Sequence, residues 1–289
     1  MSARLAIVTR AGALTTIQDL GRPGHAHLAV PRAGAADLPA HLLANRLAGN
    51  PPGAATLETT LTGVALRVTC RTWAAVTGAP APVTAGGRPA AWGLPVLLQP
   101  GQTLDVGQAT RGLRSYVALA GGVDATPVLG SRSRDILAGI GPAPLTDGQE
   151  LPLGEPGQPP ARLDLAPWPV PCDDPVLAIT PGPRDDWFTP AALTLLTSQR
   201  WTVTPDSNRV GIRLAGRPLP RARADELPSE GTITGAVEVP PDGQPLIFLN
   251  DHPTTIGYPV IATVRPASLP ACAQARPGQT VRFTLQASP

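Results

Sequence analysis

The densest run of chemistry-bearing residues lies between Ser229 and Val264. Glu230, Asp251 and His252 are ionisable, and Ser229, Gln244 and Tyr258 are polar groups of the kind that orient a substrate. Arg209, in the loop Pro205-Asp206-Ser207-Asn208-Arg209, supplies a guanidinium fork that matches a carboxylate, a phosphate or an oxyanion. Glu230 and Asp251 are candidates for acid–base work or for association with a metal, and His252 for moving a proton near neutral pH. Each residue also has a plainer reading. Arg209 and Glu230 can sit in ion pairs, Asp251 can cap a turn, and Ser229 and Gln244 are common turn formers. Gly130-Ser131-Arg132-Ser133 is a further candidate, a cradle for phosphate built from backbone N–H groups and Arg132. Asp19, Arg22, Arg32 and Asp37 read as an internal Asp–Arg network, because an opposite charge is the natural partner of a buried guanidinium.

The elements that must hold these groups are mostly strands. Ile233, Gly235, Val237 and Val239 alternate with Thr234, Ala236 and Glu238, a period of two. Pro240-Pro241-Asp242-Gly243 is turn chemistry, and Leu246-Ile247-Phe248-Leu249 is a short apolar run suited to a strand buried on both faces. Earlier strands are expected at 5–8, 57–61, 65–69, 74–77, 96–99, 104–106 and 116–120, and later ones at 176–180, 201–204 and 211–214. Helices are few. Asp37 caps one with Leu38, Leu42, Leu43 and Leu47 on its apolar face, closed by Gly49-Asn50-Pro51. Thr189-Pro190 opens a second that reaches about Gln199, and Ser268 caps a last short one stopped by Pro277. Pro100-Gly-Gln-Thr-Leu-Asp-Val106 and Pro277-Gly-Gln-Thr-Val-Arg-Phe283 echo one another, each a tight turn feeding an alternating strand. The regular βαβ alternation and the Gly-x-Gly-x-x-Gly turn of a doubly wound sheet are missing, so the fold class is mainly β.

Composition narrows the function. Gly and Pro number 30 and 37 in 289 residues and are spread between apolar runs, which means many turns and many short strands. A net charge of +2 without a basic block, and aromatics of only 3%, argue against nucleic-acid binding. Every basic residue is Arg, so the chain offers no P-loop lysine, no Schiff-base lysine and no lysine to carry biotin. Cys70, Cys172 and Cys272 are widely separated in sequence and odd in number, and no Cys-x-x-Cys occurs, so a zinc site or disulfide framework is not indicated. His25 and His27 would share one face of a strand, but they lack a third ligand, and no metal site is expected. No long apolar span or leader pattern occurs, and the expected location is the cytoplasm. The proline-dense segment from Gly154 to Pro175 is the natural linker, giving domains 1–165 and 166–289.

Several motifs then point one way together. They are Thr16-Ile-Gln-Asp-Leu-Gly-Arg-Pro-Gly24, Val30-Pro-Arg-Ala-Gly-Ala-Ala-Asp37, Asn45-Arg-Leu-Ala-Gly-Asn-Pro51 and Leu57-Glu-Thr-Thr-Leu-Thr-Gly63. Gly121-Gly-Val-Asp124, Leu129-Gly-Ser-Arg-Ser133, Ser207-Asn-Arg-Val-Gly211, Ser229-Glu-Gly231, Val239 to Pro245 and Thr254 to Pro259 follow in order. With these the chain resembles the biotin-dependent carboxyltransferase family, in the branch of the 5-oxoprolinase C subunits, over nearly its whole length. The resemblance implies two cyclophilin-like β-barrel subdomains. It also implies two partners: a protein of the same fold that is like the B subunit, and a lactam hydrolase, the A subunit. Together with this chain they would open the lactam of 5-oxoproline to glutamate. The cofactor implied is ATP with magnesium, contacting this chain or its partner, with no covalent biotin here. Two alternatives remain: a carboxyltransferase component acting on urea or another small amide, and a regulatory module that antagonises a histidine-kinase inhibitor. One departure from the family pattern is Ile256, where a Gly usually precedes Gly257-Tyr258-Pro259. An Ile there crowds a close ligand approach that Gly would permit.

Overall fold

The computed structural model describes residues 3–161, 166, 168–223 and 225–286. The expected domain boundary at residue 165 lies outside the described residues. The chain forms two compact units. The first comprises Met1–Arg22, Asp37–Asp135 and Gly139–Pro171, and the second comprises Pro23–Ala36, Ile136–Ala138 and Cys172–Pro289. Mainly β architecture, as expected, runs through both.

In the first unit the strands are β1 (Leu5–Arg10), β2 (Thr15–Gln18), β3 (Thr56–Thr60), β4 (Val64–Val68), β5 (Thr72–Gly78) and β6 (Val83–Ala85). They continue with β7 (Arg88–Ala90), β8 (Pro95–Leu98), β9 (Thr103–Val106), β10 (Arg114–Leu119) and β11 (Glu150–Pro152). A six-stranded sheet runs β11-β1-β4-β9-β6-β7 and a five-stranded sheet β2-β3-β10-β5-β8. Ile17, Leu57, Val76, Val117 and Leu119 from the second sheet join Val8, Leu66, Leu104 and Val106 from the first in one apolar core. The other face of the five-stranded sheet is polar, and helix α1 (Leu38–Ala48) packs against its strands β5 and β10. Asp37 caps the helix as expected, its carboxylate accepting from the Ala40 N–H at 3.1 Å, and Gly49 ends it in the left-handed region at φ 77°.

Strand register sets the chemistry of that covered face. Tyr116 lies opposite Glu58 on one side and Thr77 on the other, and Glu58 lies opposite Thr16. Directly opposed side chains share a face. The Tyr116 hydroxyl accordingly donates to Glu58 Oε2 at 2.7 Å and accepts the Asp37 N–H at 2.7 Å. Arg114 Nε lies 3.4 Å from Glu58 Oε1. The loss of solvent and the Glu58 carboxylate together push the Tyr116 phenol well above its usual range, burial being the larger cause.

In the second unit, β12 (Val176–Pro181), β13 (Trp201–Val203), β14 (Gly211–Ala215), β16 (Ala236–Glu238), β17 (Leu246–Phe248), β19 (Val260–Val264) and β20 (Thr280–Leu285) close a barrel in the order β12-β19-β16-β17-β14-β13-β20. A separate two-stranded ribbon pairs β15 (Glu230–Gly231) with β18 (Thr255–Ile256). Leu177, Ile179, Trp201, Val203, Ile212, Leu214, Val237, Ile247, Ile261 and Phe283 fill the barrel. Burying each such side chain is worth about 1.5–3 kcal/mol. Helix α2 (Pro190–Ser198) begins at the expected Thr189 cap, and the Trp201 indole N–H donates to the Leu196 carbonyl at its end.

Four expectations are corrected. The strand read over 233–239 is cut to Ala236–Glu238, because Gly235 adopts φ 91° and turns the chain, leaving Ile233 60% exposed. His25 and His27 do not share a strand face, since Ala26–Leu28 forms a 3-10 turn. Ser268 precedes helix α3 (Leu269–Gln274), but its hydroxyl accepts the Ala178 N–H and does not cap the helix. That helix ends at Gln274, with Ala275 as its C-cap, before Pro277 is reached. The two echoing turns do share geometry: Gly101 and Gly278 sit at φ 83° and 85° and lead into β9 and β20.

Candidate functional site

The site in the second unit is built by the ladder between β14 and β17. Gly211 pairs with Phe248 and Ile212 with Ile247. The pairing continues beyond the strand ends, Leu249 N–H bonding to Val210 and Asp251 N–H to the Arg209 carbonyl at 3.1 Å. Asn208 folds the preceding turn by accepting the Val210 N–H at 2.7 Å. Arg209 and Asp251 therefore arrive side by side. Arg209 Nε donates to Oδ2 and Nη2 to Oδ1 of Asp251, both at 2.9 Å, a bidentate pair whose side chains are 1% and 0% exposed. Asp251 Oδ2 also accepts the Ile136 N–H at 3.0 Å, and Arg209 Nη2 donates to the Gly34 carbonyl at 2.7 Å.

Asn250 completes this clamp. Its amide donates to the carbonyls of Ala33 and Ala35, while its own backbone carbonyl accepts the Ala33 N–H at 3.1 Å. Ala33 and Gly34 both lie in the left-handed region, at φ 53° and 91°. Ala pays a steric penalty there that Gly does not. The anchors from Arg209 and Asn250 hold the strained bend of the Val30–Asp37 motif. His252 is buried next to the pair. Its Nδ1 lies 2.7 Å from the Pro253 carbonyl, an acceptor only, so this nitrogen carries the proton, and its ring tilts against Phe248 at 5.9 Å.

Glu230 is not part of that cluster. It pairs with Arg184, whose Nε donates to Oε2 at 3.0 Å and whose Nη2 donates to Oε1. This hydrogen bonding holds the Glu230 carboxyl below its ordinary range. Both side chains are about one-third exposed and open to a ligand. Ser229 beside it is exposed. Tyr258 is 44% exposed, with the Arg221 guanidinium 5.9 Å above its ring centroid. Gln244 is committed elsewhere. Its Oε1 accepts the Gly216 N–H at 2.9 Å and its Nε2 donates to the Gly216 carbonyl, so it ties two turns together.

In the first unit the Gly130–Ser133 turn is not an open phosphate cradle. Ser131 and Ser133 hydroxyls and the Arg132 N–H all donate to the Asp19 carboxylate at 2.6 Å, which fills the position a phosphate would need. The Arg132 side chain pairs with Asp124 at 2.8 Å near the surface. Arg22 donates through Nε to the Val128 carbonyl and through Nη2 to the Ser133 carbonyl. Among the described residues no group of three or more His, Cys, Asp and Glu side chains is gathered as a metal would require.

Sequence reading missed Glu238, Arg184 and Arg221. Glu238 stands at a polar step of an alternating strand, which reads as facing water. Val237 and Val239 do point into the barrel. Yet the opposite face is also covered, with Ala236, Leu246, Phe248, Ile256 and Val260 forming a second apolar cluster. Glu238 is left 5% exposed, and burial pushes its carboxyl up to about 7 against the pull of Arg213, the Tyr258 N–H and Arg221. Ile256, the departure from the family pattern, is a member of that cluster.

Comparison with known proteins agrees with this architecture. The family model of the carboxyltransferase domain, subdomains A and B, matches residues 28–285. The chain is 36% identical to the 5-oxoprolinase C subunit of Escherichia coli over 282 residues, 96% of this chain and 89% of that protein. It is 32% identical to urea amidolyase of Saccharomyces cerevisiae, again over 96% of this chain but only 16% of that much longer protein. Among solved structures it superposes on urea amidolyase of K. lactis with a TM-score of 0.93 at 29% identity, over 99% of this chain and 19% of that one. This chain therefore belongs to the carboxyltransferase domain family, subdomains A and B.

Proposed function

We propose that the chain is the C subunit of an ATP-dependent 5-oxoprolinase and opens the lactam of 5-oxoproline to glutamate together with the A and B subunits. The observation that carries this reading is the length match: similarity to the bacterial C subunit spans nearly all of both chains. An amide carbonyl is a poor electrophile. Phosphorylating its oxygen creates a leaving group, which is why coupling to ATP suits the reaction. In this reading the exposed groups face the substrate. Glu230, held in place by Arg184, acts as acid or base, Arg221 offers its guanidinium to a small carboxylate, and Tyr258 and Ser229 orient the ring. Arg209 and Asp251, both fully buried, act as positioning residues that shape the wall behind them. ATP, with magnesium, binds to the assembled complex, and no biotin is carried on this lysine-free chain. The complex works in the cytoplasm, and this chain alone is inactive.

The test is reconstitution. Purified chain mixed with the A and B subunits hydrolyses ATP only when 5-oxoproline is present, and omission of any one component abolishes it. ATP hydrolysis indifferent to 5-oxoproline would reject the reading. A second reading, carboxyl transfer to urea or another small amide, is favoured by the superposition on urea amidolyase. It requires a separate biotinyl protein, and inhibition of the reconstituted reaction by avidin would select it.

A further inference from the structure

The bend of the Val30–Asp37 motif carries two backbone donors that the proposed chemistry leaves unused. Among the described residues nothing accepts the N–H of Gly34 or of Ala35, although both residues are buried, Ala35 to 3% exposure. Buried N–H groups without a partner are rare in folded proteins, and two in succession call for an acceptor from outside the chain. The carbonyls of the same bend are all taken. Asn250 Nδ2 donates to the Ala33 carbonyl at 3.3 Å and to the Ala35 carbonyl at 3.1 Å, and Arg209 Nη2 donates to the Gly34 carbonyl at 2.7 Å. In a trans peptide the C=O and the N–H that follows it point in opposite directions, and no cis peptide occurs among the described residues. By drawing in the carbonyls of Ala33 and Gly34, the clamp therefore turns the N–H groups of Gly34 and Ala35 away from itself.

We propose that the N–H groups of Gly34 and Ala35 form a binding site for an anionic oxygen of a small carboxylate, and that Asn250 is the positioning residue that aims them. Successive backbone N–H groups turned one way make a concavity that takes an anion. Their bonds to an ionised oxygen are shorter and roughly twice as strong as those to a neutral one, and they gain further where water is scarce. The charges around the bend suit an anion. Arg32, in the same bend, is exposed and pairs with no acid among the described residues, so it adds an unbalanced positive charge where the bend meets solvent. The Arg209 guanidinium behind the bend is balanced by Asp251, so that pair brings no net charge of either sign. Asp37, at the end of the motif, is engaged in capping α1. Main-chain donors also suit a chain that has no lysine to offer an anion. The site rests on the bend alone and stands whether the assembled complex opens 5-oxoproline or acts on another amide.

The test is a titration of the 15N-labelled intact chain, its backbone amides assigned, with acetate replacing chloride at constant ionic strength. Acetamide, the neutral isostere, is titrated in parallel. Acetate moves the Gly34 and Ala35 amide protons downfield along one saturable curve, and acetamide does not. The Ala33 N–H, already bonded to the Asn250 carbonyl, is the internal control and moves little. Ala35→Pro deletes one of the two donors and weakens acetate binding, read at Gly34, by about 10- to 100-fold, the scale of one hydrogen bond to a charged group. Asn250→Ala keeps both donors but releases the bend, and acetate binding weakens while the Val237 amide in the barrel keeps its position. Acetate that leaves both amides unmoved in the intact protein, or moves them no more than acetamide does, overturns the site, and this result is decisive even where Ala35→Pro fails to fold. Unchanged affinity in a folded Ala35→Pro overturns it as well. Unchanged affinity in Asn250→Ala overturns the positioning role.

Discussion

At the residue scale, burial separates two kinds of charge in the second unit. Arg209 and Asp251 have no water to fall back on. Removing one partner leaves a buried charge uncompensated, a loss of about 3–5 kcal/mol. Arg209→Ala and Asp251→Ala are each expected to lower the free energy of urea unfolding by that amount, and the double variant to fall short of their sum because the two act as a unit. Glu230→Gln makes the contrast. Its pair with Arg184 is partly in solvent, where ion pairs contribute little. The urea midpoint stays where it was, while 5-oxoproline-dependent turnover in the reconstituted complex drops about 10²–10⁴-fold, the scale of a lost acid–base group. Glu238 adds a pH signature whose sign is fixed. Its folded carboxyl titrates at about 7, above the ordinary 4.5. The folded state therefore holds the proton longer, and stability is fully present below 4.5 and falls as pH rises to about 7. The whole fall, complete by about pH 8, is about 3 kcal/mol at most, and Glu238→Gln abolishes it in denaturation curves measured across that range. The types of Arg209, Asp251 and Glu230 were legible in sequence. Their partners were not, because a partner is chosen by strand register and by chain segments far away in number.

At the element scale, local rules did well where one turn of chain decides the outcome. Asp37 and Gly49 bracket α1, Thr189 opens α2, and the buried run at Tyr116 is a strand covered on both faces, by core on one side and by a helix on the other. They failed where tertiary contacts compete. Ser268 looks like a cap, but its hydroxyl is taken by Ala178. Glu238 looks solvent-facing, but an apolar cluster that includes the ribbon's Ile256 covers that face, and a period of two does not reveal whether the second face is covered. Ile256 shows how that cover is held down. Two-residue strands supply too few hydrogen bonds to be stable alone, so β15 and β18 depend on the apolar cluster under them. Ile256→Ala removes most of a buried side chain and costs about 2–5 kcal/mol of local packing. Hydrogen exchange reads this directly. The Thr232 N–H, bonded to the Thr254 carbonyl in the ribbon, exchanges faster in the variant. The Val237 N–H in the barrel keeps its protection. Equal loosening at both positions would mean that the ribbon and barrel open together.

At the scale of the whole molecule, the second unit is not a continuous stretch of chain. It takes in Pro23–Ala36 and Ile136–Ala138 as well as the residues from Cys172 onward. A proline-dense segment signals a boundary in sequence, but no local pattern shows which earlier segments cross it, since the groups that capture them lie far along the chain. The capture is polar and specific. Arg209 bonds Gly34, Asn250 bonds Ala33 and Ala35, and Asp251 bonds Ile136. A fragment of residues 172–289 would keep every barrel strand yet lose all of these partners. It would leave donors and acceptors of the clamp unpaired, at about 1–3 kcal/mol each where water cannot reach them. Against a total stability of about 5–15 kcal/mol, such losses are enough to undo cooperative folding. The fragment is therefore expected to retain strand signal in far-ultraviolet circular dichroism, lose its near-ultraviolet tryptophan signal and bind a hydrophobic dye. The intact chain shows a sharp transition. If instead the fragment unfolds cooperatively at the denaturant concentration of the intact chain, the clamp contributes nothing to the barrel, and the Val30–Asp37 motif must be explained by what it offers to a ligand or partner.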